Sequence, residues 1–360
     1  MTSRYSHGGF GWNQQLREAV TRLHTALLSC GLSDEREVRD AALSKKAVNA
    51  APDVENWWWS QRDLNPCFRM KIYLDSKDLI SIFQNGHPCS VAYFQEYLSE
   101  GSHELVVSSS TIIEISAPLS NPHSQTNVMA LLNKLEEMPI LYLHPDIRGQ
   151  ELKEGLDAFS SRREYRAVTP FVKRFDETLD LSAAPGTSKF LNYPLAAIVW
   201  DLYSQGGLKK IDNFATPMKA IVASDRKMPK LPNLKSHFVT VIQRNLRDDR
   251  LSCSDTKGFA NWIYKNPNRC PAIRMAYEVW YQIVKNKTDA LEDSDMEDYQ
   301  HLNSLPYVDL ITLDRRMSGY VTQAARRMQM DISGRIHTSI QKMLELHVNR
   351  SSTPATGPTN

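Results

Sequence analysis

The chain has 360 residues, 41% of them hydrophobic and 23% charged, with a formal net charge of +2. These values fit a globular protein with a sizeable core and exclude a wholly disordered or collagen-like chain. So small a net charge gives no general affinity for nucleic acid, so any such contact must come from local basic patches.

The cysteines Cys30, Cys67, Cys89, Cys253 and Cys270 are odd in number and widely scattered. No pair has metal-ligand spacing, which points to reduced thiols and a cytoplasmic location. No apolar run reaches the length of a membrane span.

Residues 1–69 read as an N-terminal extension. Leu16, Val20, Leu23 and Leu27 recur there at helical spacing. The segment ends in the run Trp57-Trp58-Trp59-Ser60-Gln61-Arg62-Asp63-Leu64-Asn65-Pro66-Cys67-Phe68-Arg69, which suits neither a helix face nor a strand. It is similar to peptides encoded by the antisense strand of a transfer-RNA gene. Trp has the single codon TGG, the reverse complement of a CCA end, and Arg-Asp-Leu-Asn-Pro can be encoded across a T-arm. The expectation is an extension that is disordered or lies upstream of the true start, with translation beginning at Met70, and a gene beside a mobile element. The nucleotide sequence tests this: codons that cannot fold as a T-arm rule it out. The rival is a Trp-rich loop on a real domain.

From Met70 the texture changes. Lys71-Ile72-Tyr73-Leu74-Asp75 is short and continuously apolar before its acid, as in buried parallel strands. Ser76 or Asp78 can cap the helix that follows, with Leu79, Ile82 and Phe83 on one face. A helix from Ser90 to Glu100, a strand Leu105–Ser108, and a helix capped within Ser109-Ser110-Thr111 and carrying Glu114 come next. This rhythm predicts an α/β domain with a parallel sheet.

Residues 139–290 read as mainly helical and punctuated by prolines. They hold clustered bases (Arg162, Arg163, Arg166; Lys209, Lys210; Arg244, Arg247, Arg250) interleaved with aromatics, among them Trp200, Trp262, Trp280 and Tyr281. Bases with rings suit RNA, through phosphate contacts and stacking. Trp200 and Trp280, at helical spacing among aliphatics, are expected in the core.

Residues 291–346 return to the first pattern. An acidic helix from Glu292 to Ser304 leads through Leu305-Pro306 into the strand Tyr307–Asp314, then into helices to about Leu346. The tail, residues 347–360, is Ser/Thr/Pro-rich and predicted disordered.

Two apolar strands far apart in sequence thus each end in an aspartate, Asp75 and Asp314. In a parallel sheet, functional groups gather beyond the carboxyl ends of the strands. Glu114 and Asp298 can point into the same cleft, and four carboxylates in one place repel unless a cation separates them. Oxygen donors select Mg²⁺ or Mn²⁺, ions suited to phosphodiester hydrolysis. Each acid also has a plainer role available. Asp75 can be a helix cap, Asp295 or Glu297 can fill the slot of Asp298, and Asp309 is a rival or helper to Asp314. His301 reads as a packing or hydrogen-bonding residue. Arg315 and Arg316 stand beside the acids as donors for substrate phosphates, or as countercharges for the cluster.

This order of elements resembles the PIN-domain family of metal-dependent ribonucleases. Its carriers are Ile72-Tyr73-Leu74-Asp75, then Ser110-Thr111-Ile112-Ile113-Glu114, then Asp298-Tyr299-Gln300-His301-Leu302, then Thr312-Leu313-Asp314-Arg315-Arg316. The resemblance implies a three-layer PIN-like fold in two parts, residues 70–138 and 291–346, around a large helical insertion at 139–290. It implies a Mg²⁺- or Mn²⁺-dependent endoribonuclease whose catalytic acids are Asp75, Glu114, Asp298 and Asp314, acting on RNA. An inhibitor protein and a homodimer are the partners implied. A structure-specific DNA nuclease of related fold and an inactive PIN-like scaffold are the alternatives.

Overall fold

In the computed structural model, described for residues 69–84, 89–178, 193–204, 215–227, 233–288, 290–332 and 334–351, the apolar run after Met70 forms the centre of a six-stranded sheet. Residues 1–68, Lys209, Lys210 and the tail from residue 352 lie outside the described residues, so the expectations for them stay where the sequence leaves them.

The strands are β1 (Lys71–Tyr73), β2 (Glu104–Ser108), β3 (Ile140–Leu143), β4 (Phe171–Val172), β5 (Leu310–Thr312) and β6 (Ile336–His337), in the order β4-β3-β2-β1-β5-β6. All neighbours are parallel except β3 and β4. β1 is flanked by β2 on one side (Ile72↔Leu105) and by β5 on the other (Ile72↔Leu310). After β1 the chain builds outward through β2, β3 and β4, then returns to add β5 and β6 on the opposite side. The reversal falls between β1 and β5, a topological switch point.

Alternation along the strands explains the layers. Ile72, Leu74, Leu105, Val107 and Leu310 share one core, whereas Tyr73, Val106, Leu143 and Ile311 share another. Successive side chains leave opposite faces of a pleated strand, so a sheet apolar at every position needs helices on both sides. Burying Ile72 and Leu74 contributes about 1.5–3 kcal/mol each.

The first face is covered by α1 (Ser76–Ile82), α2 (Val91–Glu100), α3 (Ser109–Ser116), α4 (Pro122–Glu136), α6 (Leu195–Ser204) and α13 (Ile340–Ser351). The second is covered by α5 (Ile147–Ser160), α7 (Ala215–Arg226), α8 (Leu234–Asp248), α9 (Thr256–Tyr264), α10 (Pro271–Lys285), α11 (Asp293–His301) and α12 (Arg315–Met328). Helix α8 shows the pattern plainly, with Leu234, Phe238, Ile242 and Leu246 buried at four-residue intervals.

Several expectations change here. Residues 139–290 are not a helical insertion set apart from the sheet. They open with β3, in register with β2 from Leu105↔Ile140 to Ser108↔Leu143, and they add β4 at the edge. They also supply α10, whose Met275, Val279 and Ile283 lie in the same core as Tyr73 and Ile311. Ile140-Leu141-Tyr142-Leu143 is a four-residue apolar run between prolines, too short for periodicity to separate strand from helix.

Helix α1 is capped by Asp75 rather than Ser76 or Asp78, and α3 by Ser108. Strand β6 lies within the stretch read as helical, and α13 runs to Ser351, past the expected end. Trp280 is buried as expected, but Trp200 is 40% exposed against Tyr203.

A candidate metal centre at the carboxyl edge

Asp75 and Asp314 occupy equivalent places. Each follows a central strand, β1 or β5, and each caps the next helix. Asp75 Oδ1 accepts the Lys77 amide at 3.3 Å, and Asp314 Oδ1 accepts the Met317 amide at 2.5 Å. Capping and cleft-lining are therefore compatible, because each bond uses Oδ1 and leaves Oδ2 outside it. The Asp75 amide is fixed in turn by Thr312 Oγ1 at 2.9 Å, which ties the end of β1 to the end of β5. That hydroxyl also bonds Asp78, whose carboxyl is raised by burial against the opposing pull of Thr312 and the Ile340 amide.

Glu114 lies in the second turn of α3, which springs from the end of β2, so three neighbouring strands deliver their acids to one edge. Asp298 and His301 come from α11, three residues apart and so on one face of the helix.

The ligand atoms of Asp75, Glu114 and His301 all lie within 4.8 Å of one another, and no other such set occurs among the described residues. His301 is 1% exposed, and its Nε2 stands 3.2 Å from Glu114 Oε1. The contact is an ion pair when the ring is protonated, although Nε2 makes no aligned hydrogen bond. Nδ1 meets Tyr73 Oη at 2.5 Å, and the same phenol touches Ser108 Oγ at 2.8 Å and Thr111 Oγ1 at 2.9 Å. The imidazole is therefore positioned from below by a buried hydroxyl network.

Electrostatics extends the cluster. Asp298 is pushed up to about 7, first by burial and then by the charges of Asp314, Asp75 and Glu114, partly offset by His301. The four predicted acids are thus within one another's field, although Asp298 and Asp314 do not complete the 4.8 Å set. Burial pushes Glu114 up, but His301 and the Ser76 hydroxyl outweigh it and leave the carboxyl below its usual range. For His301, burial pulls down while Tyr73, Glu114 and Asp75 pull up, and the imidazole ends well above its usual range. Carboxylates that repel one another in a buried place are relieved when a cation binds between them.

Three predicted residues stand differently. Asp309 precedes β5, and its Oδ2 accepts the Lys71 amide at 2.8 Å, at the amino edge of the sheet. The strand's own length separates it from Asp314, so it does not join the cluster. Arg316 is held by Asp295, with Nη1 at 2.8 Å from both carboxylate oxygens, which makes it a brace between α12 and α11. Asp295 also closes the cap of α11 through the Glu292 amide, so it is not a competitor for the slot of Asp298. Arg315 is exposed beside Asp314.

No family model, curated protein or solved structure matches the chain. What identifies the site is therefore its own geometry.

His301 packs and hydrogen-bonds as expected, and its three-residue spacing from Asp298 marks a shared helix face. Arg148, in the first turn of α5 at the carboxyl end of β3, bonds Asn303 Oδ1 at 2.9 Å and lies over the Tyr299 ring. Nothing in its local sequence marks it.

The basic clusters are mixed in character. Arg163 is tied to Glu154 and Asp157, whereas Arg162, Arg244 and Arg250 are exposed. Trp262 is stacked with Phe259 and carries Arg269 over its face at 4.3 Å.

Among the described residues no helix is long and apolar enough to cross a membrane.

Proposed function

We propose that this chain is a PIN-like, divalent-metal-dependent nuclease that hydrolyses phosphodiester bonds, acting as an endoribonuclease with Asp75, Glu114, Asp298 and Asp314 as its acids. The observation that carries the reading is that Asp75 and Glu114 offer ligand atoms within 4.8 Å of one another at the switch point of a parallel sheet, while the charges of Asp314, Asp75 and Glu114 add to burial in raising Asp298 to about 7. Open α/β sheets bind their ligands in that crevice.

The donor set fits a hard divalent ion such as Mg²⁺ or Mn²⁺. A bound ion of this kind supplies Lewis acidity to the scissile phosphate and lowers the pKa of an attacking water. The remaining work belongs to the chain. Asp75 and Asp314 are held by their cap bonds, and the Asp75 amide also by Thr312, so these two acids are already positioned when substrate arrives. Asp298 is the acid whose ionisation is least favourable, so its charge gains most from a nearby cation. Arg315, exposed at the start of α12, is placed to hold a substrate phosphate.

The test uses the full chain with labelled single-stranded RNA and with flap DNA, in Mn²⁺, in Mg²⁺ and in EDTA. The expected result is metal-dependent RNA cleavage, abolished by EDTA and reduced about 10- to 100-fold or more by Asp75→Asn. Asn caps helices as well as Asp does, so this variant removes charge and keeps the fold. Cleavage of flap DNA alone favours the DNA nuclease, and no cleavage of either substrate rules out the nuclease.

A further inference from the structure

We infer that His301 Nε2 is itself a metal ligand, making the centre a mixed carboxylate–imidazole site that prefers Mn²⁺-class ions to Mg²⁺. The inference rests on the metal-centre reading above and goes beyond it, since an all-carboxylate cluster carries no such preference.

Three features point this way. The first is the buried nitrogen. Nε2 belongs to a side chain 1% exposed and faces Glu114 Oε1 at 3.2 Å without an aligned hydrogen bond. A buried polar atom without an aligned hydrogen bond is poorly satisfied, and an ion bound between it and the carboxylate would satisfy both.

The second is spacing. Octahedral bonds of about 2.1–2.3 Å put adjacent donors about 3 Å apart. Nε2 and Glu114 Oε1 are 3.2 Å apart, and with Asp75 the set closes within 4.8 Å. Three donors, from the end of β1, from α3 and from α11, thus come within 4.8 Å of one another, and one pair stands at the separation of adjacent ligands around an ion.

The third is what holds the ring. The phenol of Tyr73 can accept from Nδ1–H and pass its own proton to Ser108 or Thr111, both within 3.0 Å of it. A metal ion displaces the proton that Nε2 holds toward Glu114, and Nδ1–H donation to Tyr73 then leaves the Nε2 lone pair free for the ion, the tautomer a metal requires. Metal-bound histidines commonly have their second nitrogen fixed by such a partner. Imidazole nitrogen is a good donor for Mn²⁺ and later first-row ions, whereas Mg²⁺ favours oxygen and keeps its waters.

Electron paramagnetic resonance on the Mn²⁺-loaded full chain decides the matter without an activity readout. The expected spectrum carries nitrogen echo modulation, converted from a ¹⁴N to a ¹⁵N pattern when the protein is grown with ¹⁵N-histidine. His301→Gln is expected to lose the modulation and to bind Mn²⁺ about 10- to 100-fold more weakly, with little change for Mg²⁺. The labelled wild type needs no substitution, so a variant that fails to fold leaves the answer intact. Mn²⁺ bound without nitrogen modulation overturns the inference and leaves the carboxylate centre standing. Folded wild type that binds no Mn²⁺ overturns both.

Discussion

Asp298 illustrates how buried, mutually repelling carboxylates weaken the fold that carries them. Its carboxyl is raised from its ordinary range to about 7, first by burial and then by Asp314, Asp75 and Glu114. A raised folded pKa means that the neutral form is the one the fold favours. The stability it allows is complete below about pH 4 and is lost as pH rises through about 7. The full effect corresponds to about 4 kcal/mol, and partial solvent access reduces it to about 2 kcal/mol. Asp298→Asn is therefore expected to stabilise the metal-free protein by about 2 kcal/mol at pH 8 and to change little at pH 4. Urea denaturation at the two pH values measures this. Equal effects at both would show that the charge of Asp298 is not the cause. His301 packs and hydrogen-bonds as its sequence suggested, being 1% exposed and bonded to Tyr73, but which group its second nitrogen faces depends on contacts across the chain.

At the scale of elements, α10 shows how one buried acid sets a helix in place. Glu151 of α5 is fully buried, and its carboxylate accepts the amides of Ala272 at 2.7 Å and Ile273 at 2.9 Å in the first turn of α10. The Tyr307 hydroxyl donates to the same group. Burial raises its carboxyl to about 7 despite these donors. By the same sign reasoning, stability is expected to fall as pH climbs from about 4.5 through 7, by about 3 kcal/mol at most. Glu151→Gln is expected to flatten that pH dependence while keeping a cap, and thermal melts between pH 4 and 8 would show it. An unchanged slope would mean that the acid stays ionised throughout, held by the helix terminus. The strands β1, β2 and β5 and the helices α2 and α11 were legible in sequence to within a few residues, because continuous apolar runs and cap residues mark them. The short strands β3, β4 and β6 were not, since two to four residues cannot establish a period.

For the whole molecule, the question is whether the residues from 139 to 290 form a detachable part. They place β3 in the sheet and α10 across its second face, against α12. A buried ionic link joins them. Glu278, 1% exposed, holds Arg274 at 2.5 Å within α10 and Arg327 of α12 at 3.1 Å. Removing one partner strands a buried charge, so Glu278→Ala is expected to cost about 3–5 kcal/mol. Hydrogen exchange locates the loss. If this layer and the sheet fold as one unit, protection falls alike in β1, α10 and α12. Loss confined to α10 would restore the picture of a separate insertion.

The sequence by itself determined the fold class and the two strand-end acids. Apolar runs such as Ile72–Leu74 and Leu310–Leu313 have to be buried on both sides, and an acid directly after each has only the sheet edge to occupy. It also marked Glu114 and Asp298 as members of the same order of elements. The tertiary structure alone decided the rest, because those properties depend on distance across the chain. Asp309 and Asp314 flank the same strand, yet strand direction sends one to the amino edge and the other to the cleft. Arg316 is engaged by Asp295, and Tyr73, 228 residues away in sequence, bonds one nitrogen of His301 while the other faces Glu114.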